Sequence, residues 1–287
     1  MTFSVLIAAY NAAPFLPSAL RCVAAQTHPA WELVVVEDGS HDETEALVRA
    51  FAAAHPTHRV VYENLGQNRG VAAARNRLLA LAQGDAVAFL DADDEWQPTH
   101  LADLAAILAS GAAIAISGIE LWDGDNQKTL GPYVPSANWI ATARQSIFGH
   151  SFIQTSSCVA LPRATIARTG WIDEALRIGE DRDYWFRALA SGPLGCTGKI
   201  TCRYTKHAGS SMTKTLRVAA DTVAFYRKHL HDASLPGALR RRLLAEALVV
   251  HARLIRRSDR TQARKLLREA VRTRPFAPSY WLHLAIT

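Results

Sequence analysis

The stretch AVAFLDADDEW, residues 86–96, runs an apolar segment straight into Asp91, Asp93 and Asp94, with one alanine between the first two. Residues 86–90 read as a buried strand. Three carboxylates crowded at its end repel one another unless a cation or a solvated turn relieves them. The stretch is therefore either an exposed turn or a metal-holding one, and the sequence before it bears on the choice.

Working upstream, FSVLIAA (3–9), WELVVVE (31–37) and RVVYEN (59–64) are further strand candidates. Between them lie helical patterns: residues 14–26, a segment after Asp38 with Asp and Ser as capping choices, and residues 70–84, closed by Gly84. Continuous apolar strands alternating with helices predict an α/β fold whose mostly parallel, Rossmann-like sheet is flanked by helices. In such sheets ligands bind beyond the carboxyl ends of the strands. That rule gathers four polar clusters onto one edge: Ala9, Tyr10 and Asn11; Glu37 to Ser40; Asn64 to Gly70; and Asp91 to Asp94.

Downstream, residues 98–109 read as a helix and AAIAISGIEL as a strand. Residues 122–135 read as a loop rich in Gly, Pro, Asn and Asp, and 145–215 as a more irregular layer. From Val218 the pattern is helical, with Leu, Ala and Val on one face and Arg on the other. A helical hairpin is expected there, as a C-terminal extension. The expected partition is 1–120, 121–215 and 216–287.

Bulk properties narrow the class. With 287 residues, 49% hydrophobic and 20% charged, the chain suits a globular protein with a sizeable core. No apolar run approaches the roughly 18–20 residues that span a bilayer. The opening MTFSVLIAAYN lacks a basic n-region and reads as a strand, so a cytoplasmic protein is expected. Cys22, Cys158, Cys196 and Cys202 have no paired spacing and read as reduced, packed residues. Charge is uneven: residues 216–287 hold 15 Lys and Arg against 5 Asp and Glu, while residues 1–215 hold 17 against 21. The basic end suits an anionic surface, and equally a solvated helical face.

At this point the motifs match a family. SVLIAAYNAAPFLPSALRCVAAQT, ELVVVEDGSHDET, NLGQNRGVAAARNRLLALAQGDAVAFLDADDEW and GWIDEALRIGEDRDYWFRAL, in that order, resemble the family 2 glycosyltransferases of the GT-A fold over about residues 3–211. The resemblance implies an inverting enzyme that uses a nucleoside diphosphate sugar, a UDP-sugar being favoured. Its acceptor would be a saccharide or lipid-linked hydroxyl of cell-surface glycan synthesis, with no nucleic-acid partner.

The resemblance also assigns residues. Asp91-Ala92-Asp93 corresponds to the D-x-D that binds the donor diphosphate through Mn2+ or Mg2+, with Asp93 and Asp91 as metal residues. Carboxylate oxygens suit those hard cations, which neutralise a departing pyrophosphate. Asp38, in EDGS, corresponds to the acid that meets the base, with Glu37 in place of the usual Asp. Ala9, Tyr10 and Asn11 frame the base, and Gly70, Arg75 and Asn76 match positions near the diphosphate-sugar. Asp181, in GED, corresponds to the general base, because inversion needs a carboxylate to deprotonate the acceptor as it attacks opposite the leaving group. Glu180 and Asp183 read alternatively as capping or ion-pair residues of the following helix. Arg187 corresponds to a basic residue near the phosphates, and His207 to a C-terminal histidine completing the metal site. Ser210 and Ser211 could add phosphate contacts. Trp96, Trp122, Trp139 and Trp171 read as packing or sugar-stacking residues, and Trp96, beside the D-x-D, is the functional candidate among them.

Two other classes compete. A nucleotidyltransferase would need a Gly-rich, basic phosphate loop after the first strand, and AAYNAAPFLPSA has neither glycine nor a basic residue. A non-catalytic nucleotide-sugar-binding or scaffold protein would work through the basic tail. An anionic membrane face is the expected contact of that tail, which would place the protein peripherally at the inner side.

Overall fold

The computed structural model describes residues 1–207 and 215–285. They fall into two compact units, Met1–Glu174 with Glu180–Ala208, and Ala175–Gly179 with Gly209–Thr287.

The first unit is built on one sheet. Its strands are β1 (Phe3–Ala9), β2 (Trp31–Glu37), β3 (Val60–Asn64), β4 (Ala86–Phe89), β5 (Glu95–Trp96), β6 (Ile114–Asp123), β7 (Lys128–Tyr133), β8 (Val159–Pro162) and β9 (Leu194–Lys206). The strand order is β3-β2-β1-β4-β8-β6-β9-β5, with β7 beside β6. The helices are α1 (Leu16–Ala24), α2 (Thr44–Ala54), α3 (Val71–Leu81), α4 (His100–Ala109), α5 (Ala137–Ala141), α6 (Ala143–Gly149), α7 (Arg163–Thr169) and α8 (Glu180–Ala188).

The first four strands are parallel, as their sequences require. Every residue of β2 and β4 is buried, which is why these runs show no alternation of polar and apolar positions. β1 pairs with β2 from Phe3↔Trp31 to Ala9↔Glu37, and β2 with β3 up to Glu37↔Asn64, so the carboxyl ends of all three open on one edge.

The second half departs from the expectation. Residues 128–133, read as loop, form β7 on the flank of β6. Its residues are exposed or half-buried, so no apolar pattern announces it. Residues 194–206, expected to be irregular, form a 13-residue strand parallel to β6 and antiparallel to β5. The β8 strand joins the halves, antiparallel to both β4 and β6.

Gly84 does not close the preceding helix, which ends at Leu81. It sits where the chain presses against the start of β1: an added Cβ would lie 2.7 Å from both the Ser4 amide nitrogen and the Thr2 carbonyl oxygen.

The second unit contains α9 (Thr215–Lys228), α10 (Gly237–Ile255), α11 (Arg260–Thr273) and α12 (Pro278–Ala285). The expected hairpin is α10–α11. Asp259 caps α11 by accepting from the Gln262 amide at 2.8 Å, and Ala263, Leu266, Leu267, Ala270 and Val271 form its buried stripe. Arg227 of α9 pairs with Glu269 of α11 through its Nε and one terminal guanidinium nitrogen, at 2.8 and 2.5 Å. Residues 175–179 belong to this unit: the amides of Arg177 and Ile178 donate to Asp221 Oδ2 at 3.2 and 2.9 Å. No described helix is long and apolar enough to cross a membrane.

Gly84→Ala forces backbone against backbone, a cost of about 1–3 kcal/mol for an overpacked site. A lower urea midpoint with an unchanged m-value is expected. An unshifted midpoint would show that β1 yields without cost.

Candidate active site

At the end of β4 the chain turns over residues 91–94, closed by the Asp94 amide donating to the Asp91 carbonyl at 3.0 Å. The three carboxylates receive three different sets of partners. Asp91 Oδ1 accepts from Arg75 at 2.8 Å, Asp93 Oδ2 meets His207 Nε2 at 2.9 Å, and buried Asp94 accepts from Thr155 Oγ1 at 2.8 Å and the Thr205 amide at 2.9 Å. Asp94 is thus a fastener between the turn, the 155–158 segment and β9.

Arg75 holds the site together. It lies on α3, whose buried Ala72, Ala73 and Ala74 let the helix approach the sheet closely. Its side chain is only 8% exposed, with one nitrogen on Asp91 and another on Glu180 Oε1 at 2.7 Å. Burial opposes its charge, but the Asp91 and Glu180 carboxylates outweigh that effect and keep it firmly protonated. The fork brings the D-x-D turn to the first residue of α8, next to Asp181.

The surrounding acids feel the crowding. Burial, then the Asp181 charge, pushes Glu180 up to about 7 against the pull of Arg75. Burial raises Asp181 as well, with Arg75 opposing. Burial and the charge of Asp91 raise Asp93, and Asp94 is driven still higher by burial and its two neighbours. A carboxylate with raised affinity for a proton, set among other acids, is suited to accept one.

On the β1–β2 side, Ala9 is buried and its carbonyl accepts from the Asp38 amide at 2.8 Å, while Tyr10 is exposed and Asn11 is left-handed at φ 50°. Asp38 is buried, and its two carboxylate oxygens accept from the Arg69 and Gly70 amides at 2.7 and 2.8 Å. The 65–70 loop passes so close to Gly39 that a Cβ there would lie 2.4 Å from the Gln67 carbonyl carbon. Glu37 turns inward and accepts from Tyr62, Ser40 and Asn64. The longer acid at this position is part of the scaffold.

Two expected donor-site residues are placed elsewhere. Asn76 faces away from Arg75: its Oδ1 accepts from the Ile172 amide at 2.8 Å, and its Nδ2 donates to the Ile172 carbonyl and Glu174. One helical step rotates a side chain by about 100°, so neighbours on α3 serve different faces. Arg187 pairs with buried Asp183 at 2.8 Å and donates to the carbonyls of Thr169 and Trp171 at 2.7 and 2.8 Å. It fastens the loop after α7 and does not join the carboxylate cluster. Trp96 is also corrected: it is buried, donates to the Ser157 carbonyl at 2.7 Å and stacks on His100, so its ring is closed to a sugar.

Other contributors carried no sequence signal strong enough to single them out. Ser157 Oγ accepts from the Asp91 amide at 2.9 Å, Thr155 holds Asp94, and Phe15 stacks on the His207 ring at 5.3 Å. The polar run TSSC before β8 was the only hint. Ser210 and Ser211 lie outside the described residues.

Among the described residues, no group of three or more His, Cys, Asp or Glu is arranged to hold a metal ion. Asp93 and His207 nevertheless offer an oxygen and a nitrogen side by side, next to the further carboxylate of Asp91. This donor pair fits a cation that takes its remaining ligands from a bound diphosphate and water.

Because the folded pKa of Glu180 is raised, its protonated form contributes stability that is present below about pH 4.5 and lost as pH rises to about 7. Without divalent cations, Glu180→Gln is expected to flatten the fall in urea stability across that window. An unchanged slope would place the titration elsewhere.

The glycosyl transferase family 2 model matches residues 4–169. The succinoglycan biosynthesis protein ExoO of Rhizobium meliloti is 30% identical over 267 residues, covering 83% of this chain and 72% of that one. Other curated relatives, 34–36% identical, are matched over only 40–48% of their own length. The crystal structure of S. aureus TarS 1-349 with UDP-GlcNAc superposes with a TM-score of 0.71 at 22% identity, covering 95% of this chain and 81% of that one. A mannosyltransferase from Pyrobaculum calidifontis, with GDP-Man and Mn2+, gives 0.64 at 19%, covering 99% and 86%. Both share the GT-A fold seen here. With well over half its length inside the family's pattern, and the D-x-D turn and GED helix joined through Arg75, the chain belongs to glycosyl transferase family 2.

Proposed function

We propose that the chain is an inverting glycosyltransferase that moves a sugar from a nucleoside diphosphate donor, a UDP-sugar first, to a hydroxyl of a cell-surface polysaccharide or lipid-linked glycan. The observation that carries this reading is the Arg75 fork, because it sets a candidate diphosphate turn beside a candidate base. ExoO, named for succinoglycan biosynthesis, and TarS, crystallised with UDP-GlcNAc, support the substrate class.

In this reading residues 1–120 carry the donor and 121–215 the base. Ala9, Tyr10, Asn11 and Asp38 frame the nucleoside at the ends of β1 and β2, and the Asp38 carboxylate, oriented by the Arg69 and Gly70 amides, faces the base edge. Asp91, Ala92 and Asp93 lie at the diphosphate. Asp93 and His207 would hold Mn2+ or Mg2+, which supplies charge neutralisation for the departing diphosphate. Asp181 takes the proton from the acceptor hydroxyl as its oxygen attacks the anomeric carbon, opposite the leaving group. Arg75 keeps Asp91 and Glu180 in place and limits the negative charge around Asp181.

Calorimetry with UDP, dTDP, GDP and CDP, with and without Mn2+, tests the donor site. UDP is expected to bind with Mn2+ only, and Asp93→Ala to abolish that heat. Asp181→Asn is expected to keep UDP binding while slowing UDP release from the sugar donor by about 10²–10⁴-fold, the usual worth of a general base. Full turnover in Asp181→Asn would remove it as the base.

The tail supports a peripheral position at the inner face of a membrane. Its 15 Lys and Arg accompany exposed Phe276 and Trp281, 98% and 52% accessible, an amphipathic pairing suited to anionic headgroups. Sedimentation with anionic liposomes at low salt, lost at high salt, is expected. Absence of sedimentation at low salt would refute the assignment.

A further inference from the structure

The outer face of α3 borders a groove of about 530 Å3, separate from the carboxylate cluster that Arg75 organises on the helix's inner face. Glu63, Arg69, Asn76, Arg77, Trp171 and Glu174 are among its lining residues. Trp171 is 61% exposed, the largest side chain left open on this unit. A tryptophan that merely filled space would have been buried.

The indole is exposed but its backbone is fixed. Arg187, itself braced by buried Asp183, donates to the carbonyls of Thr169 and Trp171, and Asn76 makes a reciprocal pair with the amide and carbonyl of Ile172. Asn76 and Arg187 are therefore the residues that hold the backbone of the Trp171 loop. Preorganisation of this kind lowers the entropic cost of binding.

The polar lining indicates the ligand. Its charged side chains are two acids and two arginines, so the groove carries no net charge, and Arg77 meets Glu63 through two 2.7 Å hydrogen bonds while Glu174 accepts from Asn76 at 2.9 Å. Such a surface neither attracts phosphate nor repels it. It offers planar hydrogen-bonding groups, oriented by one another, beside an aromatic plate. A neutral sugar has the complementary character: an apolar face of C–H bonds that lies on an aromatic ring, and a rim of hydroxyls that bond amide, carboxylate and guanidinium edges.

We infer that this groove is an accessory binding site for a neutral oligosaccharide, with Trp171 as its stacking platform and Arg187 and Asn76 as positioning residues. It rests on the reading of the chain as a polysaccharide glycosyltransferase, and deepens it. The groove would hold sugar units of the glycan chain away from the reacting hydroxyl, as α3 separates it from Asp181.

The full chain, applied to an array of neutral bacterial polysaccharide fragments, is expected to retain linear oligosaccharides. Trp171→Ala should lower that retention at least tenfold, Trp171→Phe should recover part of it, and Asp181→Asn should leave it unchanged. Since Trp171 is largely exposed, unaltered thermal unfolding of Trp171→Ala excludes a folding defect. Retention that survives Trp171→Ala, or no retained neutral glycan, overturns the inference. UDP calorimetry on the same preparations separates the two proposals: heat without array retention sinks the groove alone, and Trp171-dependent retention without heat sinks the donor reading alone.

Discussion

A buried arginine with two carboxylates is the constraint on which the site depends. Arg75 cannot shed its proton, so once α3 packs on the sheet its charge must be met inside the protein. Asp91 and Glu180, 16 and 105 residues away along the chain, meet it from two directions. Closing that contact ties the turn after β4 to the start of α8, an element whose own residues form no strand of the sheet. Removing the guanidinium would leave two acids facing each other in a low-dielectric interior, and such broken buried pairs cost about 3–5 kcal/mol.

The repulsion among Asp91, Asp93 and Asp94 is handled by division of partners. One acid is neutralised by Arg75, one meets an imidazole, and one is buried against a hydroxyl and a backbone amide. Asp91 and Asp93 both stay half-exposed, but Asp91 already faces a guanidinium, whereas Asp93 faces only an imidazole.

The parallel half of the sheet was legible because strands buried on both faces are written as unbroken apolar runs, and WELVVVE has no other comfortable home. The rule that strand ends share an edge then assembled Ala9, Asp38 and Asp91 without any contact being known. The second half was illegible for the converse reason. β7 is an edge strand with little buried surface, and β9 interleaves glycines and polar residues along 13 positions. The bonds of Asn76 and Arg187 to the 169–174 segment were not legible, because a motif fixes a residue's position along a helix and says little about its azimuth. One helical step separates Arg75, facing the carboxylates, from Asn76, facing the 172–174 loop. Glu180 stood in the sequence as a capping or ion-pair alternative, and its partner is an arginine that no spacing rule could name.

The route of the chain between the two units has a consequence for anyone wishing to divide the protein. The first unit is discontinuous: residues 175–179 leave it, donate the Arg177 and Ile178 amides to Asp221, and lead back into α8 with Glu180 and Asp181. Excision of the helical unit at residue 208 would thus cut one covalent junction and orphan another, leaving the segment that leads into the candidate base with two donors and no acceptor. A chimera that exchanges the helices would need to exchange residues 175–179 along with them.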